Sequence, residues 1–457
     1  MTLITQDISL IRKYNVPGPR YTSYPTVPYW KDSPTESEWV TIVKNRYKEV
    51  KKDSGISLYI HLPYCESLCT FCGCHKHITK NHSNEAPYIE AVIKEWNMYL
   101  EFLGEDIEIS ELHLGGGTPT FFSADHLVSL VESIFKNRII DPSNCHLSFE
   151  AHPMNTTTEH LSKLYAIGFR RLSLGIQSYS EHVQQAIHRI QPFESVIEVH
   201  SKAKEIGYTS ISHDLVYGLP KQTLEDIQDT IQKTLQLMPE RISLYSYAHV
   251  PWVKGTGQRG FDESDLPKNE EKRLLYDTAK EMLELAGYHE IGMDHFALAS
   301  DELYNAFKAQ KLHRNFMGYT TKSTHLMIGL GMSAISDSWF GFSQNDKSVS
   351  GYIDQVNANK LPILKGHILS EEQLIIRQNI LDLMCHFETE LHPHLIDEND
   401  KIKLRLKEMI KDKLVVINGN LVQVTTKGIP FVRNCCMAFD LDLVNHTSNQ
   451  SLFSQTI

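Results

Sequence analysis

Four of the eight cysteines crowd one segment, Cys65, Cys69, Cys72 and Cys74, while Cys145, Cys385, Cys435 and Cys436 are scattered. The spacing Cys65-x-x-x-Cys69-x-x-Cys72 puts three thiolates on one short loop. Three thiolates can hold three irons of a four-iron cluster and leave the fourth iron with an open position for a ligand. Two other fillings stay open: a four-cysteine zinc site that also uses Cys74, and an electron-transfer cluster completed by a distant cysteine. Zinc sites usually take paired cysteines separated by a longer stretch, and a bacterial ferredoxin run closes with a proline. The segment has neither feature, which favours the open cluster. Such crowding argues for metal or redox chemistry over a disulfide framework, and the scattered thiols read as small buried hydrophobes.

A ligand loop of this kind needs a rigid support. Between residues 56 and 286, short apolar runs ending in small or polar residues alternate with amphipathic stretches. That alternation reads as strand–helix units with a parallel sheet. Six runs are apparent, at 56–60, 107–114, 146–149, 171–176, 209–216 and 241–247, with helices expected at 88–103, 124–135, 224–237 and 270–285. Six units suit an incomplete (β/α)6 barrel as well as a doubly wound sheet. The strand ends favour the barrel, where catalytic residues collect at one end. In order they carry the cysteine segment, Gly115-Gly116-Gly117-Thr118, Glu150, Gln177, Asp214, and Ser246-Tyr247-Ala248-His249.

The three-cysteine spacing with Phe71 before the last cysteine resembles the radical S-adenosylmethionine superfamily. Tyr59-Ile60-His61-Leu62-Pro63-Tyr64-Cys65, continuing to Phe71-Cys72-Gly73-Cys74, is similar in particular to the oxygen-independent coproporphyrinogen III oxidase family. So are the cluster Pro17 to Pro25, Asp214-Leu215-Val216-Tyr217-Gly218-Leu219-Pro220, Gly292 to Ala297, Leu312-His313-Arg314-Asn315-Phe316 and Arg433 to Met437, so that the likeness runs from about residue 8 to about residue 440. The resemblance implies a [4Fe-4S] cluster on Cys65, Cys69 and Cys72, and two S-adenosylmethionine molecules. Cleavage of the sulfonium by the reduced cluster would give a 5′-deoxyadenosyl radical. The implied reaction turns two propionates of coproporphyrinogen III into the vinyl groups of protoporphyrinogen IX without oxygen. Loss of hydrogen from the propionate carbon attached to the pyrrole, then of one electron and carbon dioxide, would form each double bond.

By the same resemblance Tyr59, Gly116 and Glu150 contact the cofactor on the cluster. Phe71, Gly117, Thr118, Gln177, Arg189, Asp214, Ala248 and Ile335 match contacts to the second molecule, and Cys74 supports turnover without holding the cluster. Glycines at 115–117 let backbone amides approach a ligand, although a Gly-rich turn and a turn carboxylate such as Glu150 also occur without function. The substrate has four carboxylates and the chain has a net charge of -11, so local cations must receive it; Arg20, Arg259 and Arg314 are the candidates. Two departures from the family pattern are His75, where asparagine is common, and His152 in place of an acid. Relatives of other function are a haem chaperone, which lacks the Phe-Cys-Gly-Cys and His-Arg-Asn-Phe segments, and an anaerobic haem-degrading methyltransferase.

Residues 1–50 are expected to form an extension packed on a catalytic domain at 51–365, and 366–457 a small helical, winged-helix-like domain. In the latter, helices are expected at 371–385 and 401–414, followed by a hairpin at 415–424 turning at Asn418-Gly419. Lys401, Lys403, Arg405, Lys407, Lys411 and Lys413 read as a solvated face rather than a nucleic-acid surface, because Glu408 and Asp412 interrupt them. The polar residues from about 445 are expected to have little order. With no basic-then-apolar leader and no long apolar run, the chain is expected to be a cytoplasmic protein, a monomer with no membrane or nucleic-acid partner. An electron carrier such as flavodoxin or ferredoxin is expected to serve it.

Overall fold

The computed structural model describes residues 8–30, 34–51, 54–136, 143–252, 257–258, 260–445 and 452–456. Six parallel strands, β1 (Ile56–Leu62), β2 (Ile109–Gly116), β3 (His146–Ala151), β4 (Phe169–Gln177), β5 (Ser210–Tyr217) and β6 (Arg241–Ser246), pair in chain order. Each coincides with an expected run to within about two residues at either end. Order without reversal decides between the two architectures. Successive right-handed crossovers in one direction put every helix on the same face and curl the sheet, whereas a doubly wound sheet reverses midway. The barrel stays open because β1 and β6 are paired outward.

Further strands extend both edges: β7 (Tyr288–Gly292) and β8 (His295–Leu298) beyond β6, and β9 (Met327–Leu330), β10 (Ile335–Asp337), β11 (Gly341–Asn345) and β12 (Ile363–Ile368) beyond β1. Only β9 continues the parallel pairing, against β1; the others are antiparallel. The sheet therefore reaches Ile368, slightly past the expected boundary at 365.

Alternation along the strands sets the layers. Leu58, Ile60, Leu112, Leu114, Leu147, Phe149, Leu172, Leu174, Ile211, Leu215, Ile242 and Leu244 face outward and are buried beneath the helices. The helices answer at helical spacing. In Ala124–Ile134, Leu127, Leu130, Val131 and Ile134 are buried, and Ser123 caps the start by accepting from His126 N. In Leu224–Leu237, Thr223 and Asp226 form a capping box ahead of buried Ile227 and Ile231. Each fully buried large apolar side chain contributes about 1.5–3 kcal/mol, so this shell holds the barrel from outside while leaving its inner wall free to be polar.

The N-terminal segment divides between two cores. The Glu36–Val50 helix buries Trp39, Val43 and Tyr47 in the barrel's shell. Leu10, Tyr14, Tyr21 and Tyr24 instead join the C-terminal core with Ile376, Leu383, Leu406 and Phe439, so residues 1–50 do not pack as one unit on the catalytic domain. That C-terminal unit comprises helices Glu371–His386 and Ile396–Lys411, strand Glu388–Glu390, and the antiparallel pair Val415–Asn418 and Leu421–Val424. Its basic residues are partly neutralised within the helix, Lys401 and Arg405 both by Glu398.

One expectation fails at the C-terminus. Within 445–457, residues 446–451 and 457 lie outside the described set, but the stretch 452–456 is tied down. Gly18 N donates to Ser454 O at 3.0 Å and Thr456 N to Val16 O at 2.9 Å. Backbone groups hold it, together with the Thr456 hydroxyl, which donates to Tyr14 O at 2.7 Å, and the Arg433 guanidinium, a set of partners that a polar composition does not reveal.

Candidate active site

The inner wall of the barrel is polar on every strand. His113, Ser148, Glu150, Arg171, Ser173, Asp214, Ser243 and Tyr245 line a central cavity of about 140 Å³. Lateral pairing fixes their levels: Tyr59 lies beside His113 and His113 beside Ser148, and Glu150 lies beside Ser173.

The cysteine loop caps this lumen past the end of β1. Cys65, Cys69 and Cys72 line a second cavity, of about 330 Å³, together with Phe71, Gly117, Thr118 and Arg189. Thr118 Oγ1 is 3.3 Å from Cys65 Sγ, and Arg189 Nη1 lies 3.8 Å from Cys69 Sγ. A guanidinium beside a sulfur favours thiolate ligands. The loop is pinned from both sides: Gly117 N donates to Leu62 O, Thr118 N to Tyr64 O and Thr70 N to Ile187 O. Gly117 is required there, because a Cβ would stand 2.6 Å from Pro63 O. Three thiols lining one roomy cavity fit a four-iron cluster, in which each thiolate takes a different iron. Among the described residues no group of three or more His, Cys, Asp or Glu side chains is arranged around one point. Cys74 is exposed; its backbone N–H donates to Cys72 Sγ at 3.4 Å.

Tyr59, Gly116 and Glu150 come together at the lumen's upper rim. Gly116 adopts φ 117° and its N–H donates to Glu150 Oε2 at 3.1 Å. A Cβ on Gly116 would meet the His61 ring at 2.8 Å, so the close approach needs glycine. His61 Nε2 sits 2.8 Å from the His75 carbonyl and Nδ1 3.1 Å from Tyr59 Oη. Nε2–H therefore donates to the loop and Nδ1 accepts from the tyrosine, while burial holds the ring neutral by pushing its pKa down. The loop is engaged through the backbone carbonyl of His75, so the departure from asparagine leaves this link intact. His152 has its pKa lowered to about 3 by burial and by Arg189; its Nδ1 accepts from Met154 N at 3.1 Å.

The second group is less compact. Gln177 takes φ 71° at a register shift between β4 and β5 and is buried. Arg189 donates to Gly175 O and to Gln191 Oε1. Asp214 accepts from Ser173 Oγ at 2.7 Å; burial pushes its pKa up to about 6 against that hydrogen bond. Gln258 Nε2 donates to both Phe71 O and Ala248 O at 3.0 Å and so joins these two segments. Ile335 packs against the Trp30–Phe342 cluster and lines neither cavity, two strands from Tyr59 across side-chain-free Gly329.

Of the expected substrate cations, Arg20 is ion-paired to Asp294 and lies 6.0 Å from the Tyr245 ring centroid. Arg314 donates weakly to Arg20 O at 3.4 Å and stacks over Tyr319, while its Nε and Nη1 are buried without a partner. Arg259 lies outside the described residues. The inner-wall residues His61, His113, Arg171, Ser173 and Tyr245 were not singled out from sequence. Their signal was the polar half of the strand alternation, which points inward only once six strands form one barrel.

A family model, Radical SAM superfamily, matches residues 59–234. Curated relatives named oxygen-independent coproporphyrinogen III oxidase are 37% identical over 99% of this chain and 100% of the relative in Helicobacter pylori strain J99, and 36% identical over 99% of both in Escherichia coli K12. The solved structure of coproporphyrinogen III oxidase (HemN) from Escherichia coli, described as a radical SAM enzyme, superposes with a TM-score of 0.88 at 34% identity, covering 96% of this chain and 100% of that one.

Proposed function

This chain belongs to the oxygen-independent coproporphyrinogen III oxidase family of radical S-adenosylmethionine enzymes, and we propose, from its site, how its own residues carry out that activity. It is an oxidoreductase of haem biosynthesis, and its cofactors are a [4Fe-4S] cluster and S-adenosylmethionine. The observation that carries the reading is that three thiols line one cavity past the end of β1, while Gly116 and Glu150 meet at the end of the polar barrel lumen. When bound, the cofactors supply a carbon-centred radical able to take hydrogen from an unactivated carbon.

In this reading Cys65, Cys69 and Cys72 hold the cluster. The Glu150 carboxylate, with one oxygen on Gly116 N, accepts from the ammonium or ribose of the first S-adenosylmethionine, beside Tyr59. A second molecule is placed by Phe71, Gly117, Thr118, Gln177, Arg189, Asp214, Ala248 and Ile335. Support for two is that polar groups finish more strands than one cofactor requires. Cys74, held near Cys72 but outside the thiol cavity, assists turnover. Arg20 and Arg314 receive substrate carboxylates at the junction of barrel, N-terminal segment and C-terminal unit; the two unpartnered nitrogens of buried Arg314 support this, since buried donors left without an acceptor are costly. The apolar shell outside the strands covers the lumen from its sides, which limits the routes by which water reaches a reactive radical.

The electron needed for reduction comes, we infer, from a small acidic carrier such as flavodoxin or ferredoxin. Lys76 and Lys80 at the thiol cavity, flanked by exposed Met154 and Ile190, offer a local basic and apolar face on an acidic chain. No helix among the described residues is long and apolar enough to cross a membrane.

The test is anaerobic incubation of the reconstituted protein with coproporphyrinogen III, S-adenosylmethionine and a reductant, with chromatographic identification of the products. Protoporphyrinogen IX is the expected product. A ring-opened or methylated tetrapyrrole, or haem binding without turnover, would assign the chain to one of the other activities.

A further inference from the structure

At the junction of barrel, N-terminal segment and C-terminal unit, Lys272 is held against a cavity with no acid in its wall. It sits in the first turn of the Asn269–Leu285 helix. Its stem lies over Gly218, just past β5: Gly218 takes φ 80°, and a Cβ there would stand 2.8 Å from Lys272 Cε. The ammonium reaches the end of β6 and donates to Tyr247 O at 3.0 Å. An ammonium carries three donors, and this is the one hydrogen bond it makes among the described residues.

The cavity, of about 250 Å³, lies at the C-terminal ends of β5 and β6, and Lys268, His249, Asn15, Asn269 and Ser454 line it together with Lys272. Neither Asp nor Glu is among its lining residues. His249 meets Glu263 at 3.3 Å and Tyr247 Oη at 3.1 Å. Lys272 makes no ion pair among the described residues. The charges that face it from other elements are Arg20 on the N-terminal segment, Asp294 between β7 and β8, and Arg433 on the Val432–Met437 helix; the Tyr217 ring of β5 lies 5.9 Å from Nζ. Asp294 is already paired with Arg20. Burial first, then Arg20 and Arg433 against Asp294, push the Lys272 pKa down to about 8. A mostly buried cation in a net positive field is costly, and a carboxylate in the adjoining cavity would remove that cost.

The substrate has such carboxylates. Two of its four propionates lose their carboxyl groups, and two stay charged throughout and need counter-charges away from the reacting centre. The Lys272 cavity shares no lining residue with the thiol cavity, although both lie at the same end of the barrel. Through Asn15 it also borders the segment that carries Arg20.

We propose that Lys272 binds a propionate of coproporphyrinogen III that is not decarboxylated, in the cavity at the ends of β5 and β6. The inference rests on the functional reading above and assigns Lys272 to the part of the substrate that does not react.

The experiment compares the reconstituted parent with Lys272→Met, which keeps the stem over Gly218 and removes the charge, and Lys272→Arg, which keeps a charge that does not titrate below about pH 12. Iron content, equilibrium binding of labelled S-adenosylmethionine, the KM for coproporphyrinogen III and the competitive inhibition constant of protoporphyrinogen IX are measured anaerobically. The product retains the two unreacted propionates. Lys272→Met should therefore raise KM and the inhibition constant together, roughly ten- to a hundredfold, with iron and S-adenosylmethionine binding unchanged. In the parent, kcat/KM should fall as pH rises through about 8, where the free enzyme's ammonium loses its proton, and Lys272→Arg should move that fall to higher pH. An unchanged KM in Lys272→Met, with or without weaker S-adenosylmethionine binding, would overturn the proposal. So would a raised KM with an unchanged inhibition constant, which would place the contact on a reacting carboxyl group. If Lys272→Met loses iron or fold, Lys272→Arg decides, and a pH dependence identical to the parent's counts against the assignment. A parent enzyme that neither binds nor converts coproporphyrinogen III would instead refute the functional reading on which it rests.

Discussion

At the scale of single residues, the three cysteines proposed as cluster ligands and Cys74 have distinct surroundings. Cys65, Cys69 and Cys72 share a cavity, whereas Cys74 is exposed and outside its lining. Alanine at any of the three should remove iron and activity together; Cys74→Ala should keep the cluster and slow turnover. Iron analysis and the anaerobic visible spectrum separate these outcomes, and iron loss in Cys74→Ala equal to that in the ligand variants would restore the four-cysteine site. Asp214 gives a pH test. Its folded pKa is raised from 3.8 to about 6, chiefly by burial. A raised carboxyl pKa means that the folded state binds the proton more tightly, so stability is greatest below the ordinary carboxylate value and falls as pH rises through about 6. Asp214→Asn should therefore stabilise the cluster-loaded protein by on the order of 1 kcal/mol at pH 8, discounted because the lumen admits water, and change little at pH 4. The same variant should bind the second S-adenosylmethionine more weakly, read by thermal melts and equilibrium binding side by side. The cysteines were legible in the sequence because their spacing is local. His61 was not, because a role that depends on register across neighbouring strands leaves no local mark.

At the scale of elements, six strands and their helices were legible because apolar runs and amphipathic periods recur, and the order of pairing then forces the barrel. The strands β7 to β12 were not read from sequence. Several are only three to five residues long and pair at sites set by the edges of the barrel already formed. One buried carboxylate ties this added sheet to the core. Glu95, on the Glu85–Leu103 helix, accepts from Gly331 N at 2.8 Å, Asn345 Nδ2 at 2.7 Å and Tyr352 Oη at 2.7 Å. Beside it Tyr88 Oη donates to His61 O and accepts from Met332 N, which links the 331–332 turn to the end of β1. Glu95→Ala strands three buried donors and should cost about 3 kcal/mol or more. Chemical denaturation measures the loss, and faster amide exchange at Gly331 and Met332 would locate it; unchanged protection there would contradict the link.

At the scale of the whole molecule, residues 16–19 and 454–456 meet over the C-terminal unit. Buried Arg433 donates to Pro19 O at 2.9 Å, Gln455 O at 3.3 Å and Thr456 O at 3.1 Å, and to Gly18 O. Deleting residues 452–457 removes two of these acceptors and should destabilise the protein by about 1–3 kcal/mol. It should also loosen the segment that carries Arg20, raising the KM for substrate with iron retained; an unchanged KM would dissociate the tail from the site. The likeness to the family spans nearly the whole chain. The most direct measurement uses coproporphyrinogen III deuterated at the propionate carbons attached to the pyrroles, turned over anaerobically, with mass analysis of the 5′-deoxyadenosine released. The expected result is transfer of one deuterium for each vinyl group formed, accompanied by one carbon dioxide. Vinyl formation with no deuterium in 5′-deoxyadenosine, or deuterium transfer without any vinyl product, would contradict the account.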